Sequence, residues 1–184
     1  MYHHNDGSGA SESEDEFKKY IRDIPDFPTK GIIFRDITNL LKNGEVFQKA
    51  VNEIAHRFSQ EKIDVVCAVE ARGFILGAAV AYALGAGFVP IRKKGKLPWY
   101  KHMKSYDLEY GTDELEIHTD AISPGNRVLL VDDVMATGGT AKAGVEFIWH
   151  MEGNLICAVF LIELLELQGR KKLEEVPIYS LIRY

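Results

Sequence analysis

Apolar stretches of strand length recur along the chain at 65–69, 88–91, 128–131, 155–162 and 178–182. Helix-like segments lie between several of them, at 45–60, 74–84, 140–150 and 170–174. Strands that are apolar on both faces and alternate with helices predict an α/β fold, a mainly parallel central sheet flanked by helices. Ligands of such folds bind at the carboxyl ends of the strands. Those ends are where chemistry is expected.

Other segments break the pattern. Residues 105–117, SYDLEYGTDELEI, alternate around a central Gly-Thr-Asp and read as the two arms of a hairpin. The preceding KLPWYKHMK is polar and basic, has no periodicity and reads as a mobile loop. Residues 24–38, IPDFPTKGIIFRDIT, place two prolines and a glycine among aromatic residues and read as an irregular flap over the sheet. Residues 73–91 carry no charge and approach the length of a membrane span, yet Gly85-Ala86-Gly87 and Pro90 interrupt them. The expectation there is a buried helix, a turn and a short strand. Residues 1–16, with their run of Glu and Asp, cannot bury enough surface to offset the entropy of ordering and read as a disordered acidic tail. Residues 17–184 then form a single domain.

Composition narrows the setting. The chain has 184 residues, 46% hydrophobic and 27% charged, enough for one domain with a substantial core. A net charge of −5 gives no support for a nucleic-acid-binding face. Cys67 and Cys157, the only cysteines, each lie inside an apolar run and are expected as buried, reduced thiols of a cytoplasmic protein.

Three strand ends carry candidate chemistry. In VVCAVEARGF, Gly73 permits close backbone approach and Arg72 offers a fork of donors for phosphate oxygens; the plain alternative is a βα turn with Arg72 paired to Glu70. In FVPIRKKGKLP, Arg92, Lys93, Lys94 and Lys96 cluster just past a strand. The third is VLLVDDVMATGGT, which has neither a Walker lysine nor a GxGxxG pattern. Its acid pair suits vicinal hydroxyls, whereas residues 136–140 can wrap a phosphate monoester with N–H and hydroxyl donors. A ribose 5-phosphate presents both ends together. A second, more highly charged phosphate group reaching Arg72 and the basic cluster would complete phosphoribosyl pyrophosphate.

DDVMATGGT resembles the phosphoribosyl-pyrophosphate motif of type I phosphoribosyltransferases. From about Ile24 onward the blocks IPDFPTKGIIFRDIT, VEARGFILG, PIRKKGKLP, SYDLEYGTDELEI, VLLVDDVMATGGT and IELLELQGRKKL resemble, in order, the adenine-using branch of that family. The resemblance implies a hood over the base site at 17–44, a flexible closing loop and hairpin at 95–118, and a homodimer. It implies reaction of adenine with Mg²⁺-bound phosphoribosyl pyrophosphate to give AMP and pyrophosphate, with neither nucleic acid nor membrane as partner.

Site roles follow from the same resemblance. Asp132 and Asp133 hold the ribose hydroxyls and help to position Mg²⁺, which is held mostly by substrate oxygens and not directly by a protein cage. Ala136, Thr137, Gly138, Gly139 and Thr140 enclose the 5′-phosphate. Arg72, Arg92 and Lys96 meet pyrophosphate. Ile33, Phe34 and Arg35, with Val134 and Leu164, form the adenine pocket. Glu109 and Tyr110 lie in the closing loop, with Glu109 handling the proton of the base. WYKHMK departs from the small polar residues of this loop in relatives. Two rival readings are a 6-oxopurine enzyme, which would need an acid where Ala136 stands, and a non-catalytic sensor that would not need Glu109.

Overall fold

The computed structural model describes residues 12–107 and 112–184. Seven strands form the main sheet in the order β5-β6-β4-β3-β7-β8-β9. They are β3 (Val65–Val69), β4 (Gly87–Lys93), β5 (Lys101–Asp107), β6 (Thr112–His118), β7 (Arg127–Met135), β8 (Asn154–Glu163) and β9 (Ile178–Arg183). The five strands from β4 to β9 in that order run parallel, and the β5–β6 hairpin joins the edge of β4 antiparallel.

Alternation along the central strands explains the layers. On β7, Leu129 and Val131 join a core with α3 (Gly44–Phe58) and α4 (Arg72–Leu84), while Val128 and Leu130 join another with α5 (Gly139–His150). Both faces are therefore covered, and each fully buried Leu, Ile or Phe contributes about 1.5–3 kcal/mol relative to exposure. Helix α3 turns Val46, Ala50, Val51, Ile54 and Phe58 inward, and Asn43 caps its start by accepting from the Val46 amide at 3.2 Å. Helix α4 lies close to β3: a Cβ on Gly77 would meet the Ala68 methyl at 2.5 Å. The 73–91 stretch is thus a helix, a turn and a strand, and no helix among the described residues is long and apolar enough to cross a membrane.

Three expectations need correction. Residues 12–16 belong to α1 (Glu12–Lys18), whose Phe17 is fully buried and whose Glu14 is buried against Lys18 and Arg183; residues 1–11 lie outside the described residues. The flap at 24–38 is more regular than its prolines imply, because β1 (Arg22–Pro25) pairs antiparallel with β2 (Ile33–Asp36) and α2 (Thr38–Lys42) follows. Finally, 101–104 is strand: the arm of the hairpin begins at Lys101, opposite His118.

Candidate active site

Strand β7 does not end where its apolar run ends. Its ladder with β8 continues through Asp132↔Phe160 to Met135↔Glu163, so both carboxylates lie within the strand and both are buried. Asp132 Oδ1 accepts the Asp133 amide at 2.9 Å, and a Cβ at Gly73 would lie only 2.6 Å from the same oxygen. Glycine is required there because the start of α4 presses on the acid. Burial pushes the Asp132 carboxyl well above the ordinary carboxylate range, and the negative charge of Asp133 adds to the shift.

Arg72 opens α4 directly after a cis Glu70–Ala71 peptide. Its Nε stands 2.6 Å from Asp133 Oδ2, and its guanidinium lies 4.9 Å from the Phe34 ring of β2. That Asp133 oxygen is buried and receives no hydrogen bond despite the ion pair. It is an acceptor with a cation beside it and no aligned donor. Glu70 is not the partner of Arg72: it takes Nε and Nη2 of Arg92 at 3.2 and 3.1 Å. The Arg92 fork and the Lys93 amide hold the Glu70 carboxyl below its usual range against the opposing effect of burial.

The basic cluster is largely matched by acids. Lys93 pairs with Asp113 at 3.0 Å and Lys94 with Glu114, both on β6. Arg92 Nη1 also donates to the Lys96 carbonyl at 3.1 Å. Among the described residues, the Lys96 ammonium has no ion-pair partner.

Beyond β7, residues 136–138 lead into α5. Gly138 has φ +80 and caps the helix with no side-chain bond, leaving first-turn amides available to an anion. A Cβ on Gly138 would sit 2.5 Å from the Gly169 carbonyl oxygen, and one on Gly169 would sit 2.3 Å from the Ala136 carbonyl oxygen. The loop is therefore backed by the turn at Gly169–Lys172. That turn is clamped by Arg170, whose Nε and Nη2 donate to the buried Glu163 at 2.5 and 2.7 Å; Ser180 donates to the same carboxylate at 2.6 Å. Gly169 and Glu163 were not singled out by the sequence reading, although the block IELLELQGRKKL contains both. The hairpin also reaches this loop, for the Tyr106 hydroxyl lies between Asp113 and Thr140.

The adenine-pocket candidates are only partly gathered. Val134 on β7 and Leu164 just past β8 are neighbours, the Leu164 amide donating to the Met135 carbonyl at 2.9 Å. Phe34 stands edge-on to Phe27 at 5.3 Å and under Arg72. Ile33 is half exposed. The Arg35 side chain turns away to pair with Asp23 and to stack 3.9 Å over the Tyr184 ring. Glu109 and Tyr110 lie outside the described residues. The arms that carry them are paired from Lys101↔His118 to Asp107↔Thr112.

Comparison with known proteins agrees with this geometry. The phosphoribosyl transferase domain family matches residues 36–180. The adenine phosphoribosyltransferase of Geobacter metallireducens is 58% identical over 170 residues, covering 92% of this chain and 99% of its own. The crystal structure of adenine phosphoribosyltransferase from Thermoanaerobacter pseudethanolicus superposes with a TM-score of 0.89 at 49% identity, over 92% of this chain and 99% of the other. The Saccharomyces cerevisiae enzyme, solved with an imino-altritol bisphosphate and adenine, gives 0.88 at 40% identity over 92% and 98%. A strand-borne acid pair, a glycine-walled turn at a helix start and a match spanning most of the sequence place this chain in the phosphoribosyl transferase domain family.

Proposed function

We propose that the protein transfers the 5-phosphoribosyl group of phosphoribosyl pyrophosphate to adenine, giving AMP and pyrophosphate, a purine-salvage reaction. The observation that carries this reading is the pairing of the Asp132–Asp133 carboxylates with the uncapped, glycine-walled loop 136–140. One part accepts hydroxyl hydrogens and the other donates to an anion. In the reaction an adenine ring nitrogen forms a bond to C1 of the ribose while the bond from C1 to the pyrophosphate oxygen breaks. The electron pair leaves with pyrophosphate, and the proton of the adenine nitrogen must be removed. Glu109 is the group assigned to that proton. Val134, Leu164, Ile33 and Phe34, with the backbone at Arg35, form the base pocket, and the apolar contacts exclude water from a cationic ribosyl centre.

Asp133 Oδ2, which has the Arg72 cation beside it but no aligned donor, and its neighbour Asp132 supply hard oxygen acceptors, which fit Mg²⁺. When bound with the substrate, the ion supplies charge neutralisation on the pyrophosphate. Arg72, Arg92 and Lys96 act on the same charge from the protein side, Arg72 exchanging its Asp133 partner for a phosphate oxygen. Tyr110 is assigned with Glu109 to the substrate site. Ala136 offers no carboxylate to a 6-oxopurine, which supports adenine as the base.

The protein acts as a homodimer in the cytoplasm. Ile75 and Tyr82, two turns apart on one face of α4, are large apolar side chains left exposed, which supports pairing of two copies. The experiment is pyrophosphate release on mixing phosphoribosyl pyrophosphate, Mg²⁺ and adenine, in wild type and in Asp132→Asn/Asp133→Asn. Turnover in the wild type and a loss of orders of magnitude in a folded double variant are expected; equal rates in the two would refute the ribose assignment.

A further inference from the structure

One buried acid takes no part in the chemistry above. Glu116 on β6 is 1% exposed, yet its carboxylate is fully engaged. Oε1 accepts the Gly95 amide at 2.8 Å, Oε2 accepts the Leu97 amide at 3.3 Å, and the Lys101 ammonium stands 2.9 Å from Oε1. Burial alone would raise this carboxyl, but the Gly95 amide, the Lys101 ammonium and the Leu97 amide together hold it below the ordinary range.

The two amides flank a single residue, Lys96. The carbonyl of Lys96 is fixed from another side by Arg92 Nη1 at 3.1 Å, and its amide donates to the Lys93 carbonyl at 3.2 Å. Lys101 closes the loop by donating to the Leu97 carbonyl at 3.0 Å. The backbone around Lys96 is therefore held on both sides by one carboxylate anchored in the sheet. The Lys96 side chain carries no ion pair of its own among the described residues. A flexible ammonium gains affinity for an anion when the chain behind it is already ordered, because less entropy is lost on binding.

We propose that Glu116 is a positioning residue that presents Lys96 to the pyrophosphate group. The inference rests on the assignment of Lys96 to pyrophosphate made above. Glu116 touches no substrate; it acts through the loop. Loss of charge-assisted bonds to both flanking amides would free the loop and weaken pyrophosphate binding by about tenfold. The 5′-phosphate loop, which Glu116 does not contact, would be unaffected.

The test is calorimetric titration with pyrophosphate in Mg²⁺, and separately with AMP, of wild type, Glu116→Gln, Lys96→Ala and the double variant. Expected results are about tenfold weaker pyrophosphate binding in Glu116→Gln, unchanged AMP binding, and a double variant no weaker than Lys96→Ala alone. Should Glu116→Gln fail to fold, Glu116→Gln/Lys101→Met leaves no buried charge unpaired and carries the same cycle. If Lys96→Ala weakens pyrophosphate binding but the Glu116 effect is absent or simply adds to it, the positioning role is wrong while the Lys96 assignment stands. If Lys96→Ala leaves pyrophosphate binding unchanged, the assignment fails and the inference with it.

Discussion

Gly169→Ala isolates the support behind the phosphate loop. Gly169 does not have a positive φ, so alanine adds no backbone strain of that kind; the effect is steric. The new methyl would lie 2.3 Å from the Ala136 carbonyl oxygen, 2.9 Å from Met135 Sδ and 3.0 Å from the Gly138 amide nitrogen. The Met135 thioether can swing aside, but the other two atoms are backbone of the loop itself. Arg170, bonded twice to Glu163, resists retreat of the turn, so the loop must yield. Overpacking of this kind costs about 1–3 kcal/mol. If that cost falls on the conformation that binds phosphate, AMP affinity drops about 5- to 150-fold, at 1.4 kcal/mol per tenfold. Pyrophosphate, which is assigned to the other strand ends, should bind as before. Calorimetry with the two ligands, alongside a melting curve, reads both effects. AMP affinity equal to wild type in a protein of unchanged stability would show that Gly169 does not support the loop.

Arg72→Ala should weaken phosphoribosyl pyrophosphate binding far more than AMP binding, since AMP lacks the group that Arg72 is assigned to meet; equal losses measured by titration would place Arg72 elsewhere. The Glu163 carboxyl is held below its usual range: burial opposes ionisation, but Arg170 and Ser180 outweigh it. An acid depressed in the folded state contributes stability above its unfolded pKa and loses it as pH falls through the folded value. Glu163→Gln should therefore lower the melting temperature at neutral pH and narrow its gap to wild type on acidification below about pH 4; a gap independent of pH would refute this. Truncating the exposed α4 side chains with Ile75→Ser/Tyr82→Ser should shift a dimer toward monomer by light scattering; an unchanged mass would place the contact on another face.

The sequence pattern exposed the parts of the fold that depend on local regularity. Strands β3, β7 and β8 could be read because both faces are buried and the residues say so without reference to any neighbour. The acid pair stood out for the opposite reason, as polar atoms appended to an apolar run with no packing role. What escaped depends on partners distant in sequence. Glu14 looks like part of a solvated acidic run until Arg183 from the other end of the chain is placed beside it. The strand at Lys101–Asp107 lacks apolar alternation because it is an edge strand, held by ladder bonds to β6 and by Lys104–Glu146 and His102–His150 contacts to α5. The basic cluster at the end of β4 looked free because its acids, Asp113 and Glu114, lie across a hairpin. Gly169 resembles any turn glycine until the Ala136 carbonyl is seen against it.

The most direct test of the central claim is the initial rate of nucleotide formation from phosphoribosyl pyrophosphate and Mg²⁺ with adenine, hypoxanthine or guanine offered separately. The proposed site, with Ala136 in place of an acid and an apolar pocket around Phe34, Val134 and Leu164, predicts rapid AMP formation and little or no IMP or GMP. Equal rates with hypoxanthine, or no nucleotide from any base, would contradict it.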